Sequence, residues 1–115
     1  MEPQSLTTHV EVDSEGQILV YAEGDIDLVT SDALRQALVE ALEKSAAVVV
    51  DVSEVGFIDS SGLNAFVWGH REAEQAGGSL RLRRASPMLR RLLKITDLDS
   101  LLLDDDALPP PDSEI

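Results

Sequence analysis

From Val48 to Leu63 the chain reads Val-Val-Val-Asp-Val-Ser-Glu-Val-Gly-Phe-Ile-Asp-Ser-Ser-Gly-Leu, and this stretch constrains the fold more than any other. Its first part is an apolar, β-branched run. A strand of that kind is buried on both faces, which places it at the centre of a parallel sheet. A short turn marked by Gly56 follows, then Asp59-Ser60-Ser61-Gly62, just before a helical pattern resumes. Short polar side chains ahead of a helix accept hydrogen bonds from the first-turn N–H groups that lack partners inside the helix. Asp59, Ser60 and Ser61 in a row, closed by Gly62, are more than one helix needs.

The other elements arrange themselves around this core strand. Thr8–Val12 and Ile18–Ala22 read as strands joined by a turn at Asp13–Gly16, a hairpin. Gly24-Asp25-Ile26-Asp27 then leaves the second strand, and a helix follows from Thr30 or Ser31 to Lys44, with Leu34, Leu38 and Leu42 four residues apart. Asp32 in its first turn and Lys44 in its last suit the helix dipole. The central strand covers about Ala47–Val52, and a second helix about Ser61–Ala76, ended by Gly77-Gly78. Leu63, Phe66, Val67, His70 and Ala73 form its inner stripe, with Asn64, Trp68, Arg71 and Gln75 on another face. Ser79–Arg83 alternates as a strand, and Ser86-Pro87 opens a third helix carrying Leu89, Leu92 and Leu93. Leu101–Leu103 is either a last strand or a helical turn. The order β-β-α-β-α-β-α predicts an α/β domain. Its sheet is mixed and four- to five-stranded, with an N-terminal β-hairpin and three to four helices, the main ones packed on one face. The domain spans residues 8–103, and residues 1–7 and 104–115, the latter rich in proline and acid, are expected to be flexible termini.

Composition removes several classes of function. A chain of 115 residues holds one domain. It has no cysteine, so disulfides and cysteine-based metal sites are excluded. No run approaches the ~18 apolar residues of a membrane span, and the N-terminus lacks a secretory pattern, so the expected setting is the cytoplasm, with no membrane contact. A formal net charge of -13 argues against nucleic acid and fits a basic protein partner. Aromatic residues make up 3% of the chain, so the core must be aliphatic. The bases are unevenly spread: Arg81, Arg83, Arg84, Arg90, Arg91 and Lys94 lie between Ser79 and Thr96 with no acid among them. A solvated strand face and an exposed helix face account for these better than a dedicated anion site.

Catalysis finds little support. Ser60 and Ser61 sit at a strand-to-helix turn, but the Gly-x-Ser-x-Gly elbow is absent and the only candidate bases are His9, on the first strand, and His70, more than two helical turns away. Two unrelated histidines give no metal-ligand spacing, and no glycine-rich phosphate loop is present. Convergence of Asp25, Asp27 and Asp59 on a hard cation is a weaker alternative. Phosphorylation fits better. A serine hydroxyl at a helix start is open to a kinase, and the helix N-terminus tolerates the added charge of about −1.5 to −2. The domain should stay folded, while any partner docked on that face is repelled.

These residues resemble a known family, the STAS domain of bacterial anti-sigma factor antagonists. Val49–Leu63 is similar to its signature, a hydrophobic strand leading into Asp-Ser-Ser/Thr-Gly-Leu, and Gly24-Asp25-Ile26-Asp27 is similar to a second family turn. Gly77-Gly78, Ser86-Pro87 and Leu92-Leu93-Lys94-Ile95-Thr96 resemble later landmarks in the correct order. The resemblance implies a non-enzymatic, cofactor-free partner switch with Ser60 as phosphoacceptor. The kinase would be the anti-sigma factor itself; bare antagonist binds it and frees the sigma factor, and a PP2C-type phosphatase restores the bare form. Asp59 would help orient the serine, Ser61 would support the turn, and Asp25 and Asp27 would line the neighbouring surface, with Asp59, Ser61 and Gly62 also among the partner-binding residues. Asn64 and Trp68 stand where the family often has small residues, on the helix side a partner touches; alternatively, Trp68 lies across a neighbouring helix. Asp97 stands where the family commonly has glycine, which puts the end of the third helix in question. The alternative function is a STAS module that binds a small ligand or scaffolds a transport or stress-sensing assembly.

Overall fold

The structure, a computed structural model, describes residues 6–104. Strands β1 (Leu6–Val12), β2 (Ile18–Ile26), β3 (Ala47–Ile58) and β4 (Ser79–Arg83) form one sheet in the order β1-β2-β3-β4. β1 pairs antiparallel with β2, whereas β2–β3 and β3–β4 are parallel. Helices α1 (Ser31–Lys44), α2 (Ser60–Gln75), α3 (Pro87–Ile95) and α4 (Asp99–Leu102) complete the α/β fold. The sheet is thus the four-stranded form of the mixed architecture expected, hairpin included.

The core follows from two periodicities. Val48, Val50 and Val52 project from one face of β3, beside Ile18, Val20 and Ala22 of β2 and Leu80 and Leu82 of β4, all buried. Leu34, Leu38 and Ala41 of α1 and Leu63, Phe66 and Ala73 of α2 close over them. Phe66 is the one aromatic ring in this cluster.

Local sequence rules miss the length of β3. A turn at Gly56 was the expectation; instead the strand runs on to Ile58, because Glu23–Ile26 of β2 offers pairing partners to Glu54, Val55, Phe57 and Ile58. Two register shifts absorb the irregular residues, as bulges do. β1 likewise begins at Leu6, ahead of the expected Thr8. Of the two alternatives for Leu101–Leu103 the helical turn forms: α4 ends at Leu102, and Leu103 adds a single parallel bridge to Leu82, short of a strand. Asp97 does end α3. It takes φ 63°, and the N–H groups of Asp97 and Leu98 donate to the carbonyls of Lys94 and Leu93. Aspartate is one of the few residues other than glycine that visit this conformation. Of the segments expected to be flexible, Leu6 and Thr7 belong to β1, and the Asp104 N–H donates to Leu82. Residues 1–5 and 105–115 lie outside the described residues.

Half of the basic stretch is used within the fold. Tyr21, Asp51 and Arg83 lie side by side in register across β2, β3 and β4. Asp51 is buried; its carboxylate accepts from the Ser53 N–H at 2.9 Å, the Ser53 hydroxyl at 2.7 Å and Arg83 Nε at 3.2 Å, with Arg84 Nε at 3.7 Å. Burial alone would push the Asp51 pKa up. The hydrogen bonds from Ser53 and Arg83 and the nearby charge of Arg84 outweigh it and hold the carboxyl below its usual range. Arg81 reaches the other way, donating from Nη1 to the Leu103 carbonyl at 3.1 Å.

Candidate functional site

The parallel pairing of β2 and β3 brings two loops to one end of the sheet. Ile26 is paired with Ile58, and the next N–H, that of Asp59, donates to the Ile26 carbonyl at 3.1 Å. Asp59 is then the extended N-cap of α2, its Oδ1 accepting from the N–H of Ser61 at 2.8 Å and of Gly62 at 3.3 Å. One carboxylate therefore does the capping. Ser60, the first helical residue, is exposed, and among the described residues nothing hydrogen-bonds its hydroxyl. Ser61 is half-buried.

Gly62 faces inward. A Cβ built on it would sit 2.5 Å from Ile26 Cγ2 and 2.6 Å from Ile58 Cγ1, so a side chain here would push α2 away from the strand ends. Its part in the site is this close approach, not a surface contact.

Asp27 shapes the neighbouring loop. Its Oδ1 accepts from the N–H groups of Val29 and Thr30, each at 3.0 Å. The Thr30 hydroxyl accepts from the Asp27 N–H at 2.9 Å and donates to the Asp25 carbonyl at 2.8 Å. Asp25 lies beside Phe57 in the ladder, its Oδ1 3.2 Å from where a Gly56 Cβ would stand, so glycine leaves that carboxylate room. Asp25, Asp27 and Asp59 thus share one end of the sheet without an ion-pair partner among the described residues. They do not converge as a cation site: among the described residues no group of three or more histidines and carboxylates could hold a metal ion.

An apolar rim surrounds these polar groups. Leu28 and Val29 stand exposed on the loop after β2, and Phe57, 49% exposed, precedes the Asp59 cap. Across a groove from Phe57 and Ile58 lie Met88, Leu92 and Ile95 of α3. Sequence reasoning missed this rim. The available signal was apolar residues standing outside any core stripe: Leu28-Val29 in a loop, and Met88 and Ile95 off the Leu89–Leu93 face.

The remaining candidates lie along α2. Asn64 is exposed one turn beyond Ser60. Trp68, one turn further, is half-buried against the core cluster, and the Arg35 guanidinium of α1 lies 5.1 Å from its ring centroid. The tryptophan therefore reaches across to α1. His70 is buried, its Nδ1 3.1 Å from the Leu80 carbonyl, and His9 is exposed on β1 beside Glu11. With ten residues of helix, about 15 Å, between Ser60 and His70, neither serine has a histidine base. Among the described residues no helix is long and apolar enough to cross a membrane.

Known proteins share this arrangement. The family model described as "Mlab, STAS domain" matches residues 9–104. The anti-sigma-B factor antagonist of Bacillus subtilis (strain 168) is 35% identical over 89 residues, 77% of this chain and 82% of that one. A crystal structure of an anti-sigma factor antagonist from Mycobacterium paratuberculosis superposes with a TM-score of 0.71 at 33% identity, covering 89% of this chain and 90% of that one. The anti-sigma factor antagonist SpoIIAA in its unphosphorylated form has the same fold, with a TM-score of 0.72 at 20% identity over 85% of this chain and 87% of that one. Taken with the cap, the loops and the strand order, these likenesses make the chain a member of the STAS-domain family of anti-sigma factor antagonists, which are regulators and not enzymes.

Proposed function

We propose that this antagonist is a partner switch thrown by phosphorylation of Ser60. The observation that carries the reading is an exposed hydroxyl on the first residue of a helix whose cap is already supplied by Asp59. Bare, the surface offers an apolar rim of Leu28, Val29, Phe57, Met88 and Ile95 to an anti-sigma factor, which then releases its sigma factor. That anti-sigma factor is also the serine kinase. The Ser60 Oγ attacks the γ-phosphorus of ATP, ADP leaves, and the hydroxyl proton is lost to solvent or a kinase base. A phosphate adds about −1.5 to −2 charge at the positive end of a helix, where it is tolerated. It does so beside three carboxylates, so the docked partner faces a strongly anionic surface. Like-charge contact of this kind costs several kcal/mol, and each ~1.4 kcal/mol is tenfold in affinity. A PP2C-type phosphatase restores the bare form, and the cycle runs in the cytoplasm.

Incubation with ATP and the cognate anti-sigma factor should place one phosphate on Ser60, and Ser60→Ala should remain unlabelled. Labelling that persists in Ser60→Ala would refute the assignment. A second reading keeps the STAS module as a small-ligand-binding or scaffolding subunit of a transport or stress-sensing assembly. On that reading, transporter subunits co-purify with the protein, Ser60 is bare and no kinase is bound.

A further inference from the structure

The groove between α3 and the end of β3 has a complementary segment in the same chain. Its walls are apolar, with Met88 57% and Ile95 74% exposed, and Arg91 lies in its lining. Arg90, Arg91 and Lys94 make α3 a basic helix without an acidic residue, in a chain of net charge -13. Residues 105–115, Asp-Asp-Ala-Leu-Pro-Pro-Pro-Asp-Ser-Glu-Ile, are the reverse: four acids, no base, and two large aliphatic side chains, Leu108 and Ile115.

Their point of departure favours the encounter. The Leu103–Leu82 bridge is parallel, and the Asp104 N–H donates to the Leu82 carbonyl, so the chain leaves running in the direction of β4. β3 runs the same way, toward Phe57. The last β3–β4 pair is Asp51 with Arg83, and Phe57 lies six residues beyond Asp51 on β3, about 20 Å at ~3.3 Å per residue. Eleven extended residues reach at most about 36–40 Å, so the groove is within range. Pro109–Pro111 reduce the freedom the segment has to lose. A second copy of so acidic a chain is repelled, whereas a tethered segment acts at an effective concentration in the millimolar range.

We propose that residues 105–115 dock in the α3–Phe57 groove, acids against Arg90, Arg91 and Lys94 and a leucine or isoleucine in the apolar floor. The consequence for regulation rests on the proposed function: the docked tail covers one side of the Ser60 surface, and an anti-sigma factor must displace it. The docking itself does not depend on that reading.

The chain has no cysteine, so Ser113→Cys in the 115-residue chain carries a single nitroxide label. At about 50 mM salt, where screening is weak, the amides of Phe57, Leu92 and Ile95 should lose at least about two-fold in peak intensity. Those of Asp13–Gly16, at the far end of the sheet, should keep theirs, and the pattern should persist on dilution. Arg91→Glu with Lys94→Glu should restore the lost intensity. Uniform broadening, broadening centred on Arg81–Arg84, or insensitivity to the charge reversal would overturn the proposal. No kinase enters the experiment, so its failure leaves the Ser60 switch standing, and failure of the switch leaves the docking standing.

Discussion

Gly62→Ala isolates the contact that holds α2 against the strand ends. The new Cβ would stand 2.5 Å from Ile26 Cγ2 and 2.6 Å from Ile58 Cγ1, and both isoleucines are buried, at 0% and 6% exposure. Both atoms hang directly on a branched Cβ, so they give way only if χ1 turns the whole side chain or the backbone shifts. Overpacking of this kind costs about 1–3 kcal/mol. Alanine's better helix propensity offsets at most about 1 kcal/mol, and less in a first turn. The net loss is about 1–2 kcal/mol, or about 5–15 °C in Tm for a domain of this size. Gly69→Ala is the internal control. It lies in the same helix, and its Cβ would come close to the Cδ1 methyls of Leu80 and Leu38, at 3.0 and 3.1 Å, with Leu38 Cβ at an ordinary 4.0 Å. Those methyls are the far ends of flexible side chains, so the propensity gain should cancel the cost. Thermal melts followed by circular dichroism should show Gly62→Ala well below wild type and Gly69→Ala near it. Equal melting temperatures for the two variants would refute the close-approach argument.

Two further outcomes follow from the hydrogen bonds. Asp59→Ala should cost about 1 kcal/mol in urea unfolding, because the N–H groups of Ser61 and Gly62 lose their acceptor, and Asp59→Asn should recover most of it. Asp51→Asn should lower stability by about 1–3 kcal/mol at neutral pH by weakening the bonds from Ser53 and Arg83. Because the folded pKa of Asp51 is depressed, its charge stabilises the fold above the unfolded value of about 3.9. That contribution fades as pH falls through the lower folded value, so wild type and Asp51→Asn should converge in stability on acidification; a constant gap would contradict the depressed pKa.

The legible parts of the chain were those where one local signal decides. The β-branched run at Val48–Val52, the Leu34–Leu38–Leu42 spacing, and Ser86-Pro87 each specify their element without help from a distant residue. The Ser86 hydroxyl accepts from the Leu89 N–H at 3.1 Å, with Pro87 in the first turn. What was not legible depends on pairing across the chain. Gly56 reads as a turn until Glu23–Ile26 is seen beside it. Ser60, Ser61 and Asp59 are equally good caps on paper, and only the built turn shows that Asp59 takes both N–H groups and leaves Ser60 unengaged. Gly62 looks like a surface residue of a motif until Ile26 and Ile58 arrive from two different strands. The apolar rim was hidden for the same reason, since Leu28, Phe57 and Met88 lie far apart in sequence.

On the proposed switch, one phosphate on Ser60 changes the partner without changing the fold. Titration of a single anti-sigma factor with the bare protein and with protein phosphorylated on Ser60 alone, alongside thermal melts of both, separates the two effects. The affinity should fall at least about 100-fold, equivalent to ~2.7 kcal/mol, while the two melting temperatures agree within about 3 °C, less than 1 kcal/mol for a domain of this size. Equal affinities, or a loss of binding accompanied by a collapse of the melting temperature, would contradict it.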